Sequence, residues 1–162
     1  MRPTAFLDRD GTINVKAAEG DYVTSWGEFA FLPGAEEAVR LLAEAGWRVV
    51  VVTNQRGVAL GRMSMDDVDD IHRRLQERVP IDAVYVCPHE RDACDCRKPG
   101  DGMLRQAMLD DHGIDPATSV VIGDAESDME AGRRFGARTI LVGAPPLPSL
   151  LDAARQLTSS AG

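Results

Sequence analysis

Phe6-Leu7-Asp8-Arg9-Asp10-Gly11-Thr12 is a short apolar run that ends in two carboxylates, two positions apart, and then a glycine. A run of this kind predicts a buried strand that hands its acids to a turn. In an extended chain residues i and i+2 share a side, so Asp8 and Asp10 point the same way. Gly11 permits the sharp turn and the close approach of a ligand to the backbone. Asp8 then has the place of a nucleophile and Asp10 that of its acid/base partner. The alternative is a strand-ending Asp-Gly turn with two solvated acids.

Working outward, further apolar runs are expected as strands at about 4–8, 48–53, 82–87, 118–122 and 138–142. Val49-Val50-Val51-Val52 and Val120-Val121-Ile122 are continuous, as in strands buried on both faces. Helical patterns alternate with them. Residues 35–45 carry Ala35, Ala38, Val39, Leu42 and Ala45 on one stripe, and 65–78 carry Val68, Ile71 and Leu75 behind a Ser64 cap. Further helices are expected at 101–112, 125–135 and roughly 148–158, with Gly136 as a left-handed stop. The alternation predicts an α/β fold, a three-layer doubly wound parallel sheet. Residues 13–32, with Tyr22, Trp26, Phe29 and Phe31, break the rhythm. They are expected to form a flap over the end of the first strand, with no separate cap domain.

The chain has 162 residues, 44% hydrophobic and 27% charged, which suits one domain over 1–162. No apolar run is long enough to span a membrane, and the N-terminus leads directly into the first strand, so a cytoplasmic protein is expected. The net charge of −8 argues against a nucleic-acid surface. It also means that an anionic substrate needs local cations to overcome the global field.

Parallel sheets bind ligands at the carboxyl ends of their strands, and each strand here places polar groups there. The first supplies Asp8 and Asp10, the second Thr53-Asn54-Gln55, the third a cysteine cluster followed by Arg97-Lys98-Pro99. The fourth supplies Gly123-Asp124, with Asp128 one turn into the next helix. Carboxylates and carbonyls suit Mg²⁺, and Asp124 completes such a set with Asp8 and Asp10. A threonine hydroxyl and a lysine ammonium, Thr53 and Lys98, suit a phosphoryl group. Arg97 suits a second anionic group.

Cys87, Cys94 and Cys96 are all the cysteines of the chain, and His89 lies among them. The spacing C-x-H-x₄-C-x-C is a full tetrahedral set for a structural Zn²⁺ in a loop over 87–96. Free or redox-active thiols are the alternative. An odd cysteine count disfavours a disulfide framework. His72 and His112, lone histidines on predicted helices, receive no role.

The four stretches Phe6–Thr12, Val52-Thr53-Asn54-Gln55, Cys96-Arg97-Lys98-Pro99 and Gly123-Asp124 to Asp128 resemble the motifs of the haloacid dehalogenase superfamily. The cysteine loop narrows the resemblance to the branch of histidinol phosphatases and heptose-bisphosphate phosphatases. Gly20-Asp21-Tyr22-Val23, the segment 54–61 and Pro99–Leu104 resemble the heptose enzymes more closely, although the stretch between His89 and Cys94 is shorter than theirs. The resemblance implies a phosphatase working through an aspartyl-phosphate, with Asp8 as nucleophile and Asp10 as general acid/base. It implies Mg²⁺ on Asp8, the Asp10 carbonyl and Asp124, with Thr53, Asn54, Gln55, Arg97 and Lys98 facing phosphate or substrate. Asp128 would support the metal site or Lys98, and Zn²⁺ would sit on Cys87, His89, Cys94 and Cys96. The implied substrate is a small phosphorylated sugar, a heptose 1,7-bisphosphate that loses its 7-phosphate, and the protein is expected to be a monomer. The alternatives are histidinol phosphate as substrate, or a non-catalytic module held together by zinc. A dehalogenase would have no use for Asp10, since a departing halide needs no proton.

Overall fold

Five apolar runs become five strands in the computed structural model, which describes residues 2–159. They are β1 (Thr4–Leu7), β2 (Arg48–Asn54), β3 (Ala83–Cys87), β4 (Ser119–Gly123) and β5 (Arg138–Leu141). All pair in parallel, in the order β3-β2-β1-β4-β5, so the strand made first lies in the middle. Phe6 pairs with Val50 on one side and with Val121 on the other.

The alternation of a strand's side chains builds the two outer layers. Ala5, Leu7, Val49, Val51, Val120 and Ile122 face one cluster, shared with Ala38, Val39 and Leu42 of α1 (Ala35–Glu44) and with Leu150, Ala154 and Leu157 of α5 (Leu150–Ser159). Leu75 of α2 (Met65–Arg78) joins them. Phe6, Val50, Val52 and Val121 face the other cluster, with Met103, Leu104 and Ala107 of α3 (Gly102–Asp110) and Ala131 and Phe135 of α4 (Glu126–Phe135). The chain is therefore an α/β sandwich with helices on both faces of a parallel sheet, as the runs predict.

Local chemistry sets the helix ends. Ser64 Oγ accepts from the Asp67 amide at 3.1 Å while Asp67 accepts from the Ser64 amide at 2.9 Å, a reciprocal cap on α2. α4 stops where Gly136 takes the left-handed conformation, φ 92°. α3 ends at Asp110, two residues before the expected 112, because Asp111 turns extended and its carbonyl accepts from Ile114 in a tight turn.

Between β1 and α1 the chain runs through a long connection, the flap, with one short 3-10 turn at Trp26–Glu28. Its two legs are tied by Val15 N to Ala30 O at 2.8 Å and Leu32 N to Ile13 O at 2.9 Å. Trp26 stacks on Phe29 at 4.8 Å, Phe29 meets Phe31 edge-on at 5.2 Å, and all three lean on the core that contains α1. The aromatic cluster anchors the flap in the core, so its polar leg, 16–22, is the part that faces the strand ends.

Candidate active site

The strand order puts the carboxyl ends of β1 and β4 side by side, and the acids gather there. Asp8 follows β1, and its amide donates to Ile122 O of β4 at 3.0 Å. Lys98 arrives from the loop after β3, and its Nζ lies 2.6 Å from Asp8 Oδ1 and 2.6 Å from Asp128 Oδ1. The ammonium also donates to Val52 O at 3.1 Å. All three side chains are buried. Burial works against the charge on Lys98, but the two carboxylates outweigh it and hold the ammonium protonated, above its usual range. Burial pushes the Asp8 carboxyl up to about 7; Lys98 pulls it down, while the neighbouring carboxyls of Asp128 and Asp124 push it further up. Gly123 is needed beside this cluster, because a Cβ there would run into the Asp128 carboxylate.

Asp10 sits in a different environment. Burial alone would raise its pKa, but the Arg9 guanidinium and the amides of Asn14 and Gln55 outweigh it and hold the carboxyl below the usual range. Arg9 and Asn14 both donate to Oδ1 at 2.9 Å, and Gln55 Nε2 donates to Oδ2 at 2.9 Å. Gln55 Nε2 also donates to Thr53 Oγ1 at 2.9 Å. Asn54 is committed to the backbone on both sides of Lys98, accepting from its amide at 3.1 Å and donating to its carbonyl at 3.3 Å. The side chains of Asn54 and Gln55 thus orient Lys98, Asp10 and Thr53. Two acids two positions apart are held in opposite electrostatic surroundings.

Two open spaces flank the cluster. A cleft of about 260 Å³ runs under the flap and is lined by Asp10, Lys16, Tyr22, Asn54 and Gln55 among others. A wider groove of about 580 Å³ lies on the other side, lined by Arg91, Arg97, Lys98, Ser127 and Arg134 among others. Arg97 Nη1 is buried there without a hydrogen-bond partner. Lys16, which the sequence pattern did not single out, reaches from the flap to Asp124, its Nζ 2.7 Å from Oδ2. Gly11, at φ 87°, leaves room for this contact; a Cβ there would meet both the Asp124 carboxylate and the Lys16 side chain.

The cysteine loop closes on itself. Cys96 Sγ lies 2.9 Å from Cys87 Sγ and 3.3 Å from Cys94 Sγ, and His89 Nδ1 lies 3.2 Å from Cys96 Sγ. One ligand atom from each of the four residues falls within 4.8 Å of the others. Such a soft, convergent donor set fits a tetrahedral Zn²⁺. Asp8, Asp124 and Asp128 also offer oxygens within 4.8 Å of one another. Asp128 is taken by Lys98, whereas Asp124 Oδ1 is buried with no hydrogen-bond partner among the described residues. An orphaned carboxylate oxygen beside Asp8 fits a hard cation with oxygen ligands.

Strand-end carboxylates around one buried ammonium, on a parallel α/β sheet, are the arrangement that the resemblance to the haloacid dehalogenase superfamily implies. The HAD-hydrolase-like family model matches residues 95–144. A D-glycero-alpha-D-manno-heptose-1,7-bisphosphate 7-phosphatase of Mycobacterium tuberculosis is 44% identical over 138 residues, 82% of this chain and 72% of that protein. A D-glycero-beta-D-manno-heptose-1,7-bisphosphate 7-phosphatase of Pseudomonas aeruginosa is 38% identical over 147 residues, 87% of this chain and 81% of that protein. The crystal structure of D,D-heptose 1.7-bisphosphate phosphatase from B. bronchiseptica, complexed with magnesium and phosphate, superposes with a TM-score of 0.87 at 31% identity, covering 99% of each chain. The chain belongs to the heptose-1,7-bisphosphate 7-phosphatase family of haloacid-dehalogenase-like hydrolases.

Proposed function

We propose that this phosphatase removes the 7-phosphate of D-glycero-D-manno-heptose 1,7-bisphosphate through an aspartyl-phosphate on Asp8. The observation that carries the reading is the pairing of a buried Lys98–Asp8 contact with a second acid, Asp10, facing the flap cleft. An Asp8 oxygen bonds phosphorus while the bond to the sugar oxygen breaks. The departing oxygen takes the electron pair and a proton from Asp10. Water then attacks phosphorus, Asp10 takes back a proton, and Asp8 is released with inorganic phosphate. Asp10 carries that proton when the sugar oxygen leaves, and water returns it in the second half; the donors around Asp10 favour its carboxylate, the form that takes a proton from water. Lys98 and Thr53 hold the phosphoryl oxygens, and Asp128 keeps Lys98 in place. Asp8, Asp124 and the Asp10 carbonyl would hold Mg²⁺, which supplies charge neutralisation at the phosphoryl group.

Several observations support the finer points. Arg97, with its unpartnered buried nitrogen, suits the second phosphate of a bisphosphate. The loop over 87–96, held by Zn²⁺, would be one wall of the site and the flap over 13–32 the other, in one domain. Every group named comes from a single chain, so a monomer suffices. Thiols used as metal ligands fit the reducing cytoplasm, and among the described residues no helix is long and apolar enough to cross a membrane. A phosphate-release screen tests the substrate. Both anomers of the heptose bisphosphate, other sugar bisphosphates and histidinol phosphate are compared with and without Mg²⁺. Turnover should be highest on a heptose bisphosphate and should require Mg²⁺. Preference for histidinol phosphate would overturn the substrate assignment, and release from none of them would favour the zinc-held, non-catalytic reading.

A further inference from the structure

Arg9 stands between the two acids in the sequence, just after the end of β1. Its side chain is fully buried. Nη2 donates to Asp10 Oδ1 at 2.9 Å, Nη1 lies 3.1 Å from His72 Nε2 on α2, and Cζ lies 5.8 Å from the centre of the Phe29 ring. A guanidinium has donors and no acceptor, so the imidazole nitrogen that faces it must accept. His72 is therefore neutral, with its lone pair on Nε2. Burial, helped by the charge of Arg9, holds it there, down to about 3.

Oxygen by oxygen, Asp10 is unevenly loaded. Oδ1 takes two donors, Arg9 and Asn14, whereas Oδ2 takes one, Gln55. The acceptor capacity left for a proton is thus on Oδ2. That asymmetry depends on the guanidinium staying turned toward Oδ1, and His72 is the group that anchors its far nitrogen. We propose that His72 is a positioning residue for the reaction. By accepting from Arg9 it fixes the rotation of the guanidinium and so keeps the proton-carrying oxygen of Asp10 toward the cleft. The proposal rests on the reading of Asp10 as general acid/base given above.

Protonation of the departing oxygen matters for an alkoxide and hardly at all for p-nitrophenolate, which leaves unaided. The test therefore compares two esters in the Mg²⁺-loaded, full-length protein: the alkyl phosphate that the screen turns over best, and p-nitrophenyl phosphate. For the aryl ester, the pre-steady-state release of p-nitrophenolate is read, which reports the first half-reaction alone. His72→Leu removes the acceptor. It should lower kcat on the alkyl ester by roughly tenfold or more, part of the about 10²- to 10⁴-fold that positioned proton transfer supplies. KM should stay within about twofold, and the loss on the aryl ester should be several-fold smaller than on the alkyl ester. His72→Gln, whose amide oxygen can accept, should recover most of kcat. If the leucine variant does not fold, His72→Asn, with a shorter reach toward Arg9, takes its place against His72→Gln. Equal losses on the two esters, or a leucine or asparagine variant as active as the glutamine one, would overturn the proposal. A wild-type protein that hydrolyses neither ester would instead overturn the phosphatase reading itself.

Discussion

The two convergent ligand sets of this molecule are built in opposite ways. Asp8 lies more than a hundred residues before Asp124 and Asp128, and the three are brought together by a sheet edge and a buried lysine. Cys87, His89, Cys94 and Cys96 come from ten consecutive positions, and only Cys87 is buried, at the end of β3. The first set is held by the fold. The second lies on one short loop, with Cys87 in the apolar cluster beside β3, Cys94 and Cys96 packed against that cluster, and the exit, Arg97-Lys98, tied to the sheet through Asn54. The candidate acids thus sit on the sheet edge, and the wall beside them is a short loop whose four donors fit a metal.

The sharpest break of this contrast is Asp8→Asn. It should abolish phosphate release, by at least about 10⁴-fold as expected for loss of a covalent nucleophile, while thermal unfolding followed by circular dichroism stays cooperative and is not shifted down. Retained turnover would refute the nucleophile. Cys96→Ser should act the other way round. Bound zinc, read by metal analysis, falls, proteolysis within 88–96 speeds up, and the far-ultraviolet spectrum keeps its α/β shape. Turnover declines much less than for Asp8→Asn. Global unfolding of this variant would show that the loop supports the sheet.

The acid side of the contrast can be sharpened by pH. An unfolded imidazole protonates near 6.5, whereas His72 stays neutral down to about 3 in the fold. Between those values the unfolded chain holds the extra proton, so stability drops as the pH falls through this window. Each pH unit removes about 1.4 kcal/mol. Urea unfolding of His72→Gln over the same range should be flatter than wild type by about that slope. The smallest effect is expected from Lys16→Ala. Lys16 is half exposed, so its pairing with Asp124 is worth at most about 1 kcal/mol. Calorimetry should show Mg²⁺ binding somewhat tighter once the ammonium no longer occupies Asp124; weaker binding would mean that Lys16 assists the cation.

Most of the architecture was legible because its signals are local. Valine runs buried on both faces announce parallel strands, and the Ser64–Asp67 cap and Gly136 mark helix ends within the sequence. The acids and Lys98 were legible as candidates because strand ends share an edge. Arg9, His72 and Lys16 were not. A lone histidine in an amphipathic helix leaves no periodic trace, and only the packing of α2 against the turn after β1 reveals that its Nε2 meets a guanidinium. Lys16 sits in a segment of irregular backbone, where side-chain direction follows no period. The roles of Asn54 and Gln55 also needed coordinates, because their amides turn inward to Lys98, Asp10 and Thr53.

The central place of the first strand has a consequence for biogenesis. Thr4 pairs with Ser119, so the seam that brings the fourth strand to the first closes only after three-quarters of the chain has left the ribosome. Until then the nascent polypeptide carries Asp8 without Asp124 across the seam, and the late, long-range closure is the step at which synthesis, folding and assembly of the candidate site coincide.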